Sequence, residues 1–148
     1  MKLIKLLTIF LVSSLSLSSL AQHKTTIKAD TAFSMKLYSA AIENYKIAIK
    51  KEDDKATKVR IMYNMAQSYQ GYRDYKNAIS WYKKVVSKGK TFVTDHPEVH
   101  LKLGDVYKAV ERYQDAMSSY EAYSEAKPDD LKGKKGAKSC ELAIKWTG

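Results

Sequence analysis

Imidazole, carboxylate and thiol groups are the side chains of this chain that could carry chemistry. Its histidines are His23, His96 and His100. The last two are four residues apart, a spacing that puts both rings on one helix face if His96 begins the helix. Glu98 stands between them, but the order is not His-Glu-x-x-His and no third ligand is near, so a zinc site does not follow. Adjacent acids occur at Asp53-Asp54 and Asp129-Asp130. Both pairs sit where helices begin, and capping of backbone N–H groups accounts for them. Gly71, Gly89 and Gly104 form no phosphate loop. The densest serines lie before residue 20, in a segment that is expected to be removed. Cys140 is the only cysteine, so no intramolecular disulfide forms. It falls on the apolar side of the last helix and reads as a small buried hydrophobe rather than a reactive thiol. No nucleophile, acid–base pair or metal cluster converges. The expectation is a non-enzymatic chain with no cofactor and no metal.

The elements that would position any site are set by a repeat. Tyr38-x-x-Ala41-x-x-x-Tyr45 returns as Tyr75, Ala78, Tyr82 and again as Tyr113, Ala116, Tyr120, in steps of 37 and 38 residues. A period of this length points to stacked helical hairpins. The small residues let paired helices approach closely, and the aromatic residues at helical spacing form core rather than a ligand box.

Each tyrosine–alanine figure has a first helix upstream. In the third copy it reads Leu103-Gly104-x-x-Tyr107, then Ala116-x-x-x-Tyr120 and Pro128. This resembles the tetratricopeptide pattern Leu-Gly-x-x-Tyr, Ala-x-x-x-Phe, Pro, with His100 in the place of Trp. The second copy has Met62, Met65, Ala66, Tyr69, Ala78 and Tyr82 but no closing Pro. The first keeps its second helix (Tyr38, Ala41, Tyr45, Ala48), while its first helix retains only Ala29 and Ala32 at matching places. The resemblance implies an all-α fold of about three such hairpins, residues 25–54, 59–92 and 97–130, stacked as a right-handed α-solenoid. A capping helix over about 130–146 closes the stack.

Along the chain, His23 to Asp30 reads as a loosely ordered start. A short first helix is expected over about 29–36, and helices over 38–51, 59–71, 75–87, 97–110 and 113–126. Asp residues near 54, 74 and 129–130 serve as caps. The stretch Lys88–Thr94 reads as the longest loop. In the last helix Lys132, Lys134, Lys135, Lys138 and Lys145 are placed outward, and Gly133 and Gly136 weaken its early turns by about 1 kcal/mol each relative to Ala.

Met1–Ala21 has the signature of a secretory signal peptide. Lys2 and Lys5 make a positive start, Leu6–Val12 is apolar apart from Thr8, and Ser19-Leu20-Ala21 supplies a cleavage site before Gln22. The whole chain carries 26 basic against 16 acidic residues. Loss of the two lysines of the leader lowers the net charge from +10 to +8. Export makes nucleic acid an unsuitable partner for that charge, and no groove interleaves the basic residues with stacking aromatics. The Lys132–Lys138 run is either a solvated helix face or a weak contact with an anionic envelope surface. The tail Ser139-Cys140-Glu141-Leu142-Ala143-Ile144-Lys145-Trp146, following such repeats and a leader, is similar to the N-terminal module of Bacteroidota envelope proteins. In those a β-propeller-type region and an OmpA-type peptidoglycan-binding domain often follow, and some serve type IX secretion. This chain stops at Gly148, so no wall-anchoring role carries over.

By the family resemblance, residues 2, 5, 9 and 12 of each repeat line a concave face. In the second repeat these are Arg60, Tyr63, Gln67 and Gln70; in the third, Glu98, Leu101, Asp105 and Lys108; in the first, Asp30 and Phe33. Mixed charge, an aromatic ring and amides suit an extended peptide or a helix of a protein partner, against the plain alternative of a solvated groove. Arg60, Tyr63, Gln67, Gln70, Leu101, Asp105 and Lys108 are therefore the expected contact residues. Relatives that clamp the acidic C-terminus of chaperones use basic and amide residues at five places. Here those are Thr26, Asp30, Asn64, Glu98 and Lys102; two are acids, so that mode is rejected. The second functional class is a structural subunit or homo-oligomer that packs through its terminal repeats. The third, an envelope enzyme dependent on His96, lacks a constellation.

Overall fold

The computed structural model describes residues 24–147, and the proposed leader Met1–Ala21 lies outside them. Eight helices occur among the described residues, with no strand. Residues 24–34 are helical and form α1. Then come α2 (Tyr38–Lys51), α3 (Lys55–Gly71), α4 (Tyr75–Lys88), α5 (Lys90–Asp95), α6 (Glu98–Ala109), α7 (Tyr113–Ala126) and α8 (Lys132–Thr147). The hairpins α1/α2, α3/α4 and α6/α7 stack in order, and α8 packs on α7 and α6. The result is an all-α solenoid.

Three turns repeat at the level of the backbone. Each first helix ends with a residue in the left-handed region: Lys36 (φ 58°), Arg73 (φ 64°) and Glu111 (φ 61°). The N–H of the next residue donates five residues back, Leu37 to Ala32, Asp74 to Tyr69 and Arg112 to Tyr107, each at 2.9 Å. This is the Schellman closure, which satisfies carbonyls that a helix end would leave unpaired. Two second-helix or repeat starts carry caps of the expected kind: Asp54 accepts from Thr57 N at 2.7 Å and Asp74 from Asn77 N at 3.2 Å. Asp130 accepts from Lys132 N at 3.0 Å and opens α8.

The core runs the length of the stack. Ala41, Ala78 and Ala116 are fully buried, with Tyr45 and Tyr82 at 0% exposure and Tyr120 at 2% beside them. Three expectations are corrected. The start of the chain is not loose from residue 24 on: Thr26 and Ala29 are buried, because α1 lays its small residues against the first hairpin's core. The stretch 88–94 is not a plain loop, since Lys90–Asp95 folds as α5 and Phe92 packs on Tyr63 with ring centroids 5.4 Å apart. Nor do Gly133 and Gly136 only weaken α8. A Cβ at Gly136 would lie 2.7 Å from the Tyr120 ring, and one at Gly133 would lie 2.6 Å from the Tyr120 carbonyl oxygen. The missing side chains are what let α8 close on α7. Cys140 is fully buried there, as its position on the apolar side requires.

Candidate partner-binding face

The first helices α1, α3 and α6 carry the expected row, and side-chain hydrogen bonds show how it is held. Asp30 on α1 is the hub of its N-terminal end. Its carboxylate accepts from Tyr45 Oη at 2.6 Å, from Arg60 Nη1 at 3.1 and 3.3 Å, and from Asn64 Nδ2 at 3.3 Å. Gln67 Nε2 lies 3.5 Å from Asn64 Oδ1. Arg60 and Asp30 are about two-fifths exposed, so their ion pair contributes at most about 1 kcal/mol. Its larger consequence is chemical: the cation and the amide already face a carboxylate.

The hydroxyls of Tyr45, Tyr82 and Tyr120, one from each second helix, each reach a residue of this row. Tyr45 binds Asp30, Tyr82 donates to Gln70 Oε1 at 2.7 Å, and Tyr120 donates to Asp105 Oδ1 at 2.7 Å. In the first and third repeats the partner is 15 residues before the tyrosine. In the second, position 67 is a glutamine and the hydroxyl takes Gln70, one turn further on. Burial raises all three phenols far above their ordinary value, and the Asp30 and Asp105 hydrogen bonds push Tyr45 and Tyr120 the same way. They stay neutral donors at every working pH. Tyr123 repeats the device outside the row. Its hydroxyl donates to Asp130 at 2.7 Å, which with burial pushes the phenol up to about 12.

The structure separates the sequence-predicted contact residues. Tyr63 is only 9% exposed, wedged between Tyr82 and Phe92, so it belongs to the core and not to the accessible row. The six-residue insertion α5 supplies the ring that covers it. Gln70 holds Tyr82, Asp105 holds Tyr120, and Leu101 is half-buried against the core. Arg60 and Gln67 remain reachable at the N-terminal end. Lys108 is exposed, and its ammonium donates to Ser139 Oγ on α8. That bond places α8 in the row, as a fourth first helix, a feature the sequence reading missed. The 15-residue tyrosine–aspartate spacing was readable beforehand in two copies; the Lys108–Ser139 contact was not.

Among the described residues His96 and His100 do not come together in a site. His96 Nδ1 lies 3.1 Å from Glu98 Oε1, its ring stacks on Phe92 at 4.5 Å, and burial lowers the pKa of His100. No group of three or more His, Cys, Asp or Glu among the described residues is placed to hold a metal ion. No described helix is long and apolar enough to cross a membrane. Every buried side-chain nitrogen or oxygen among the described residues has a hydrogen-bond partner.

Comparison with known proteins agrees with this geometry. The tetratricopeptide repeat family model matches residues 59–87 and 97–130. The chain superposes on the TPR domain of Arabidopsis OM64 with TM-score 0.68 at 20% identity, over 83% of this chain and 96% of that one. The first TPR domain of Spaghetti (RPAP3), bound to the HSP90 peptide SRMEEVD, gives TM-score 0.70 at 17% identity, over 83% and 92%. The TPR2B domain of yeast Sti1, in a complex with pHsp70, gives 0.67 at 16%, over 82% and 97%. No curated protein matches by sequence. The family model thus identifies tetratricopeptide repeats over residues 59–87 and 97–130, and the fold shared with these TPR domains extends along most of the chain.

Proposed function

We propose that this protein is a non-catalytic adaptor that binds an extended peptide or a helix of a partner protein along the row formed by α1, α3, α6 and α8. The observation that carries the reading is the built row itself. Tyrosine hydroxyls brace its acids from behind, and Arg60, Gln67 and Lys108 stand on the accessible side. Similar domains in RPAP3 and Sti1 are recorded with chaperone peptides, which supports peptide binding as the mode of use. The N-terminal end here is unsuited to an acidic terminus, because Asp30 already engages Arg60 and Asn64. Export is part of the proposal and rests on Met1–Ala21, as is the envelope setting, which rests on the resemblance of the tail. Mass spectrometry of the exported chain should find a mature N-terminus at Gln22.

The test is in-cell cross-linking of a tagged, exported chain. A protein captured by the wild type should be lost from Gln67→Arg/Lys102→Glu and kept by Lys76→Glu/Lys83→Glu on the exposed side of α4. Equal capture by all three refutes a concave site. A second reading, self-association through the first repeat, is favoured by its exposed apolar residues: Ile27 at 50%, Met35 at 64%, Leu37 at 53% and Ile47 at 47%. Light scattering that gives a strict monomer at high concentration eliminates it.

A further inference from the structure

The Lys108–Ser139 hydrogen bond fixes which side of α8 joins the row. Residues seven and four before Ser139, and three and seven after it, share its helix face. They are Lys132, Lys135, Leu142 and Trp146. Leu142 is 45% exposed and Trp146 is 87% exposed. A large ring left this open, beside a leucine and among ammonium groups, is an anchor without its counterpart.

The charge on this face is one-sided. Helix α8 carries five lysines and a single acid, Glu141. Glu141 lies on the opposite flank and takes both Lys138 and Lys145 at 2.8 Å. The Lys135 ammonium makes no ion pair among the described residues. Two acids border the face: Asp105 accepts from Tyr120, and Asp130 accepts from Tyr123 and lies 3.4 Å from Lys132. Both are engaged from the protein side, and three lysines still outnumber them. The far end of the row is the reverse, with an internal carboxylate, Asp30, facing its cation.

We infer that the α6–α8 end of the row binds an acidic peptide segment bearing a large aromatic or aliphatic side chain. Lys108, Lys132 and Lys135 meet its carboxylates, and Leu142 and Trp146 take the apolar group. The inference rests on the concave-face reading above and adds the chemistry and polarity of the partner. Charge complementarity selects the acidic segment, and screening by salt weakens its binding. The exposed tryptophan requires that the segment not be uniformly polar.

The full-length mature chain with Trp81→Phe leaves Trp146 as its only indole, so emission reports this site. The probe is a synthetic dodecapeptide of Glu and Asp with one central Phe. It should shift Trp146 emission to the blue and bind more weakly as salt rises. Replacing its acids by Lys should abolish the shift, and replacing Phe by Ser should weaken binding several-fold. Lys132→Glu/Lys135→Glu should weaken it at least ten-fold, whereas Lys50→Glu/Lys51→Glu at the end of α2 should not. Circular dichroism should show both variants folded. Equal loss in both lysine variants would reduce the effect to net charge and overturn the inference. So would a shift given by phosphatidylglycerol vesicles and not by the peptide, which would make the face a lipid contact. If partner capture in cells is lost in Gln67→Arg/Lys102→Glu but kept in Lys132→Glu/Lys135→Glu, the concave reading stands and this site falls. If both variants keep capture, the concave reading itself fails.

Discussion

Gly136→Ala separates two accounts of α8 because they differ in sign. Intrinsic helix propensity alone makes the change stabilising by about 1 kcal/mol, since alanine is the better helix former. The packing says otherwise. The new Cβ would lie 2.7 Å from Cδ1 and Cε1 of Tyr120 and 2.8 Å from its Cγ, distances no relaxed carbon contact allows. The ring cannot swing away. It is 2% exposed, its hydroxyl is tied to Asp105, and a Cβ at Gly104 would meet the same ring at 2.7 Å. Overpacking of this kind costs about 1–3 kcal/mol, so the propensity gain is cancelled and the net change is a loss of up to about 2 kcal/mol. For a folded unit of this size that lowers Tm by up to roughly 8 °C. Urea and thermal unfolding followed by circular dichroism measure it, with Lys135→Ala as the exposed control on the same helix. The control should change stability by no more than about 0.5 kcal/mol. If Gly136→Ala raised the midpoint as the control or better, α8 would not close on Tyr120 and the row would lose its fourth helix.

Three further outcomes follow from the geometry. Glu111→Gly should stabilise the fold by up to about 1 kcal/mol in chemical unfolding, because a non-glycine residue is strained at φ 61°; a loss would mean that the Glu111 side chain has a role its exposure does not show. Tyr120→Phe removes the hydroxyl from Asp105 and should cost about 1 kcal/mol by urea titration, with Tyr45→Phe costing less because Arg60 and Asn64 still serve Asp30; equal costs would contradict that ranking. Burial holds the His100 imidazole below its ordinary 6.5. The unfolded chain therefore takes up that proton first, and stability should fall as pH drops from about 6.5 through the depressed folded value. His100→Gln should flatten that part of a pH–stability profile, and an unchanged slope would assign it to other groups.

Much of the fold was legible because the constraints are local and repeated. Tyr38–Lys51 and Tyr113–Ala126 match their helices residue for residue, since small and aromatic residues at 3–4 spacing define one buried face. The first repeat was harder. Its α1 has little of the pattern, and Thr26, Ala29, Asp30 and Phe33 gain their meaning only against α2 and α3. The short helix α5 was illegible for a similar reason: six residues do not display a period, and Phe92 is fixed by Tyr63 from another element.

The sequence by itself determined the hairpin repeat, its all-α class, the core tyrosines and alanines, and a cap at Asp74. Each depends on spacing within one or two helices, which a linear text contains. The sequence placed caps near Asp54 and Asp129–Asp130, and the structure chose Asp54 and Asp130. Tertiary structure decided which row residues stay accessible. Tyr63 is lost beneath Phe92 and Gln70 is taken by Tyr82, while Arg60 and Asp105 stay reachable although Asp30 and Tyr120 engage them. It also decided that α8 extends the row and presents Leu142 and Trp146. These outcomes turn on the angle and distance at which one helix meets the next. Those are set by close approaches such as Gly136 on the Tyr120 ring, which join residues that no periodicity in the chain relates.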